Sequence, residues 1–293
     1  MGRKVILAGL ISFFMVGLMM QNAAEKKPWK DMNVSLGDIK VHYLEAGTGD
    51  RYLIFIPGWT MTAEVWKEQI PYFTARGFHV YAIDPRSQGL TTKTEGGNTY
   101  QQQAADLHAF VKTLKIERSV LVGWSAAVPL LLEYVSSPET LQPDKLVLVD
   151  GTPMGHKETD YPGGRTMQEA RDRLMRFQDD RAKATGEFVR SMFKSKQPEL
   201  LYKELNDGSL KTPLGAALAL FFDFYTGDRR NALFRVGVPT LLLFTEENRS
   251  IGEYMQSKIK RAKLEIIPEA GHAMFLEKPQ SFNQILEAFL GEQ

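Results

Sequence analysis

The most chemically suggestive residue in the chain is Ser125, in the string Gly123-Trp124-Ser125-Ala126-Ala127. The residues before it, SVLVGW at 119–124, read as a buried strand, and AAVPLLLEYV after it reads as a helix. A serine between the two sits on a tight strand-to-helix turn, with its hydroxyl projecting from the carboxyl edge of a sheet. Small residues two before and two after it let neighbouring backbone approach closely. The following helix adds its positive dipole end and free N–H groups, where an oxyanion would develop in acyl transfer. A Gly-x-Ser-x-Gly/Ala string arises by chance in about one chain in five of this length, so the flanking strand and helix carry the reading. A neutral hydroxyl is too weakly acidic to attack unaided and needs a base within hydrogen-bond reach. There are five histidines: His42 in an early strand, His79 at the start of a buried strand, His108 in a helix, His156 where a helical region begins, and His272 in a loop.

The elements that must position these groups follow from hydrophobic periodicity. Residues 34–57 read as strands joined by a hairpin, with a turn at Thr48-Gly49-Asp50 before a fully buried strand from Tyr52 to Ile56. Residues 62–75 have helical spacing, with Val65, Trp66, Ile70 and Phe73 on one side. A buried strand at 78–84, an amphipathic helix from Tyr100 to Leu114, and a strand at 145–150 complete the first half. The alternation then stops. From about 155 to 235 only helical patterns and polar turns appear, before strands at 238–247 and 263–268 alternate with helices at Ile251–Arg261 and Ser281–Leu290. Short apolar strands alternating with helices predict an α/β fold: a mostly parallel central sheet with helices on both faces. The helical stretch inserted between two of its strands predicts a cap.

Four segments resemble the α/β-hydrolase superfamily over residues 35–293. Ile56-Pro57-Gly58-Trp59 resembles the loop after the third strand, and Asp84-Pro85-Arg86-Ser87-Gln88-Gly89 the loop after the fourth. Gly123 to Ala127 resembles the nucleophile elbow, and Gly271-His272-Ala273 through Pro279 the histidine loop. Their order and separations are specific where each alone would not be. The resemblance implies Ser125 as nucleophile and His272 as general base, in the chain order nucleophile, acid, histidine. It implies an acid just after the seventh strand, but that segment reads Thr245-Glu246-Glu247-Asn248, and Asn248 stands at the matching position. Asp150, at the end of the sixth strand, is one substitute. Glu247, one residue off register, is another, and an arrangement through Asn248 or Glu246 is a third. The oxyanion hole implied is the backbone N–H of Ala126 together with that of Trp59. The indoles of Trp59 and Trp124 are candidate walls of the substrate site, Asp84 and Arg86 braces of the loop beneath it. His156 could touch substrate, and Phe193, Phe221, Phe222, Phe224 and Tyr225 form an aromatic cap cluster.

The expected reaction is hydrolysis of a small-molecule ester or related acyl compound through an acyl-enzyme. Acyltransfer, cofactor-free perhydrolysis and a non-catalytic ligand-binding protein of the same fold are the alternatives. No dinucleotide fingerprint, P-loop or metal-spaced His/Asp/Glu cluster is present, so no cofactor or metal is expected. The chain has 36 basic against 35 acidic residues, a net charge of +1, which gives no positive field for nucleic acid. It has no cysteine, which excludes disulfides and a thiol nucleophile. Residues 1–24 order a basic Arg3-Lys4, an apolar run from Val5 to Met20 and the small Ala23-Ala24. That is the order of a signal peptide, or of an uncleaved membrane anchor, and places the 30–293 domain outside the cytoplasm as an exported protein.

Overall fold

Strands β1 (Lys30–Leu36), β2 (Ile39–Ala46), β3 (Arg51–Ile56), β4 (Phe78–Ile83), β5 (Ser119–Trp124), β6 (Lys145–Val149), β7 (Thr240–Thr245) and β8 (Ala262–Ile267) form one sheet in the computed structural model. The structure describes residues 27–292, so the expected targeting segment lies outside the described residues. Strand order is β1-β2-β4-β3-β5-β6-β7-β8. β1 and β2 are antiparallel to their neighbours, and every pairing from β4 to β8 is parallel. The hairpin closes at Gly37-Asp38, where Leu36 pairs with Ile39. The Thr48-Gly49-Asp50 turn does not close one: β3 passes beyond β4 to pair with β4 and β5.

Side-chain alternation splits the sheet into two apolar faces. Ile54, Leu121, Leu148 and Leu242 point to one layer, and Leu53, Val122, Val147 and Leu243 to the other, each fully buried. Burial of each such side chain is worth roughly 1.5–3 kcal/mol. Helices α1 (Gln69–Thr74), α2 (Tyr100–Thr113) and α3 (Ala127–Ser136) connect the first strands. The helix expected over 62–75 is instead a 3-10 turn at Ala63–Trp66 followed by α1. Pro71 has no N–H to donate to the carbonyl of Lys67, so one continuous helix is excluded and the proline falls in the first turn of α1.

Between β6 and β7 lie α4 (Met167–Asp179), α5 (Arg181–Ser191), α6 (Glu199–Leu210), α7 (Leu214–Thr226) and the short α8 (Arg230–Leu233). The start of α4 is fixed by a capping box in which Thr166 and Glu169 satisfy each other's backbone N–H groups. These helices form the cap. Helices α9 (Arg249–Lys258), α10 (Met274–Glu277) and α11 (Pro279–Gly291) complete the sheet's cover.

Candidate active site

Ser125 follows β5 directly and has φ +57, in the left-handed region that a β-carbon disfavours. Two bonds hold it there: its N–H donates to Val149 O at 2.8 Å, and its carbonyl accepts from the Val128 N–H at 3.0 Å. The bend requires glycine on both sides. A β-carbon on Gly123 would sit 2.4 Å from Leu131 Cδ1, and one on Gly151 would sit 2.4 Å from Ser125 O. The strained turn aims the hydroxyl at His272, whose Nε2 lies 2.8 Å from Ser125 Oγ.

The other ring nitrogen, Nδ1, donates to Asp150 Oδ2 at 2.7 Å. Asp150 follows β6 with φ +42, and its side chain is fully shielded from solvent. Its Oδ1 accepts from the Thr245 N–H at 3.0 Å and the Thr245 hydroxyl at 3.1 Å, and its Oδ2 also accepts from Asn248 Nδ2 at 2.9 Å. A carboxylate with this many donors is held in one orientation. With Nδ1–H given to Asp150, Nε2 is left as the acceptor for the serine proton. Of the acid candidates, Asp150 is the one bonded to the imidazole. Asn248 supports Asp150 from the far side, Glu246 pairs with Arg249 at 2.8 Å, and Glu247 is exposed.

The histidine loop has a brace that its sequence did not disclose. Glu277 accepts from the N–H of Gly271 at 2.7 Å and from those of Ser195 and Lys194 in the cap. Burial alone would raise its pKa. The hydrogen bonds from Ser195, Gly271 and Lys194 outweigh that and hold it below the usual glutamate value. The Trp124 indole Nε1 donates to His272 O at 2.8 Å and the ring packs on Phe275. Trp124 is 1% exposed and does not line the cavity, so the expected substrate wall is a support beneath His272. The reason is parity: Val122 and Trp124 share the sheet face that α10 and α11 cover.

The backbone N–H groups of Trp59 and Ala126 flank Ser125 and donate to no other group among the described residues. The loop carrying Trp59 is held by Gln88, whose Oε1 accepts from Thr60 N at 3.2 Å and whose Nε2 donates to Gly58 O and Met61 O. Asp84 adds a bond from Ala63 N at 2.7 Å, as expected of a brace. Arg86 does not: it turns away to Asp38 and Asp106. The role of Gln88 has no local signature, because its three partners are about 30 residues distant in sequence.

A profile of the Alpha/beta hydrolase family matches residues 53–285, most of the chain. The chain belongs to the alpha/beta hydrolase family. It is 27% identical over 248 residues to the AB hydrolase superfamily protein YisY of Bacillus subtilis, covering 82% of this chain and 91% of that one. It is 25% identical over 269 residues to the bifunctional esterase/perhydrolase DCH of Acinetobacter calcoaceticus, covering 86% and 96% respectively. The fold is shared with the esterase EaEST from Exiguobacterium antarcticum at a TM-score of 0.85 and 22% identity, over 90% of this chain and all of that one.

In this alpha/beta hydrolase the three residues open into a cavity of about 670 Å³ between sheet edge and cap. Trp59, Phe188, Phe221 and Phe224 supply its apolar wall, with the Trp59 indole Nε1 anchored to Ala217 O at 2.8 Å. Of the aromatic cluster expected in the cap, Phe193, Phe221, Phe224 and Tyr225 line the cavity, whereas Phe222 is 65% exposed. His156 does not line it; its Nε2 faces Glu158 at 3.4 Å. Arg165, Arg173 and Tyr100 also line the cavity, and nothing in their sequence context marked them out.

Proposed function

We propose that this protein is a serine hydrolase of carboxylic esters or related acyl compounds. Ser125 is the nucleophile, His272 the base and Asp150 the acid. The observation that carries the reading is the unbroken line of hydrogen bonds from Ser125 Oγ through the imidazole to the buried Asp150 carboxylate, with its open end in the cavity. In the first step His272 Nε2 takes the hydroxyl proton as Ser125 Oγ bonds to the carbonyl carbon. The negative charge on the carbonyl oxygen falls between the N–H groups of Trp59 and Ala126, which need no rearrangement to receive it. The imidazolium, stabilised by Asp150, then protonates the leaving alcohol as its bond to carbon breaks. Water attacks the acyl-enzyme with its proton going to His272, and collapse frees the acid and restores Ser125.

A fluorophosphonate probe and short p-nitrophenyl esters test this directly. Wild type is expected to label and turn over, and Ser125→Ala to do neither; turnover undiminished in Ser125→Ala overturns the assignment. Perhydrolysis is a second reading, favoured by the relative named as both esterase and perhydrolase. Hydrogen peroxide would replace water as the nucleophile that releases the acyl group, giving a peracid. Halogenating activity in the presence of peroxide and acetate would reveal it. The N-terminal sequence supports export, and N-terminal sequencing of the protein recovered from cell fractions tests that part.

A further inference from the structure

The cavity contains a cation that, among the described residues, makes no ion pair. Arg173 of α4 lines it, and among the described residues no carboxylate pairs with its guanidinium, which faces the Tyr225 hydroxyl instead. The Phe188 ring lies 5.0 Å from its guanidinium carbon, which orients the group without neutralising it. The two buried arginines are paired, Arg86 with Asp38 and Asp106 and Arg229 with Glu133 and Asp223, whereas the half-buried Arg173, like Arg181, has no carboxylate partner among the described residues. A second observation points the same way. Tyr100, 2% exposed, lines the cavity from α2, and its hydroxyl has no hydrogen-bond partner. Tyr225 stands near both groups. Arg173, Tyr225 and Tyr100, from three separate helices, thus lie together at one wall of the cavity, with no carboxylate paired to the guanidinium among the described residues. A buried donor left unmatched is costly, and so is a buried charge.

We propose that this trio is an anion subsite, and that the substrates are esters carrying a free carboxylate, such as half-esters of short dicarboxylic acids. The guanidinium fork donates two parallel bonds to a carboxylate. The charge layout gives the orientation. Glu246 and Glu247 line the cavity beside Asn248, after β7, and repel an anion placed next to them. The carboxylate end thus lies toward α4, and the ester carbonyl at Ser125. This inference rests on the hydrolase reading above and names the substrate class of that same site. Arginine remains protonated despite the desolvation that lowers its pKa, so the subsite stays charged at every pH where the protein would work.

The test uses matched esters: the mono-p-nitrophenyl esters of succinate, glutarate and adipate beside neutral p-nitrophenyl hexanoate. The wild type is expected to prefer at least one half-ester in kcat/KM. Arg173→Gln should reduce the half-ester to neutral ratio by about 30-fold, the worth of one charge-assisted bidentate contact. Most of that loss should fall in KM, with Arg173→Lys intermediate and Tyr100→Phe smaller. A wild type that favours the neutral ester over all three half-esters overturns the subsite while leaving the hydrolase reading intact. If no ester turns over and Ser125 resists the fluorophosphonate, the hydrolase reading fails instead. The subsite is then decided by calorimetric titration with glutarate: binding by the full chain that Arg173→Gln abolishes supports it, and equal binding by both, or none, overturns it.

Discussion

The molecule contains two histidine–aspartate pairs of nearly the same geometry. His272 Nδ1 lies 2.7 Å from Asp150 Oδ2, and His42 Nδ1 lies 2.8 Å from Asp84 Oδ2. In both, the aspartate follows a parallel strand and is buried. What differs is the third partner. His272 Nε2 meets a serine hydroxyl at the mouth of a cavity, whereas His42 Nε2 meets a second carboxylate, Asp31, at 3.3 Å. A hydroxyl has a proton to surrender, and an imidazole that faces one can act as a base. A carboxylate on the same nitrogen fixes the ring as a charged bridge between strand β1 and the loop after β4. The second pair is structural: Asp84 also accepts from the N–H groups of Ala63 and Leu90, tying down the loop that carries the Trp59 amide. Chemistry here depends on what completes the pair, not on the pair.

The largest expected effect removes the completing group. Ser125→Ala should cut kcat for p-nitrophenyl butyrate by about 10⁶, as loss of a nucleophile does in a comparable unit. The next effect separates the two pairs. Asp150→Asn should cost about 10⁴ in kcat, because the imidazole loses the charge that stabilises its protonated form. Glu247→Gln should cost little. Asp84→Asn should register first in stability, lowering the urea midpoint by the equivalent of about 3–5 kcal/mol for a broken buried pair. A change in kcat of less than tenfold for Asp150→Asn would erase the distinction.

Ser125 and His272 were legible in the sequence because their surroundings are local: a strand, a turn and a helix around one, a glycine-histidine loop around the other. Asp150 was legible only as the first of several acid candidates, because the choice among them is made by contact between strands. Val149 of β6 registers with Leu243 of β7, which places Asp150 beside Thr245 and within reach of Asn248 across the sheet. Spacing along the chain carries none of that. Trp124 was legible and misread, since counting residues along β5 puts its ring on the same sheet face as Val122, packed beneath His272. Arg173 was invisible for a different reason: in RDRLMR it resembles any solvated helix face, and only the packing of α4 against α5 and α7 turns it inward.

Asn248 offers a smaller and sharper cut at the same comparison. Its amide donates to Asp150 at 2.9 Å, as the N–H groups of Ala63 and Leu90 donate to Asp84 in the other pair. Replacing it with leucine removes one donor from a buried carboxylate, worth about tenfold in kcat by the usual scale for hydrogen bonds to charge. KM should stay close to the wild-type value, since Asn248 acts through Asp150. A loss that appears wholly in KM would make it a substrate contact instead.

The smallest effect concerns the pair with no chemistry. Burial by itself would lower the pKa of His42, but the hydrogen bonds and charges of Asp84 and Asp31 outweigh burial and raise it above the ordinary 6.5. A group whose pKa is raised on folding stabilises the native state fully below its unfolded value, and that contribution is lost as pH rises through the folded value. The Tm of the wild type is therefore expected to decline as pH climbs above about 6.5 into the mildly alkaline range, where histidine bridges discharge. His42→Gln should start from a lower Tm and decline less over the same interval, and Asp31→Asn should flatten the slope in part. Because the loop bonds from Ala63 and Leu90 to Asp84 do not depend on this proton, kcat at saturating ester should not follow the Tm curve. A slope equal in wild type and His42→Gln would assign the pH dependence to other groups and leave His42 a neutral spacer.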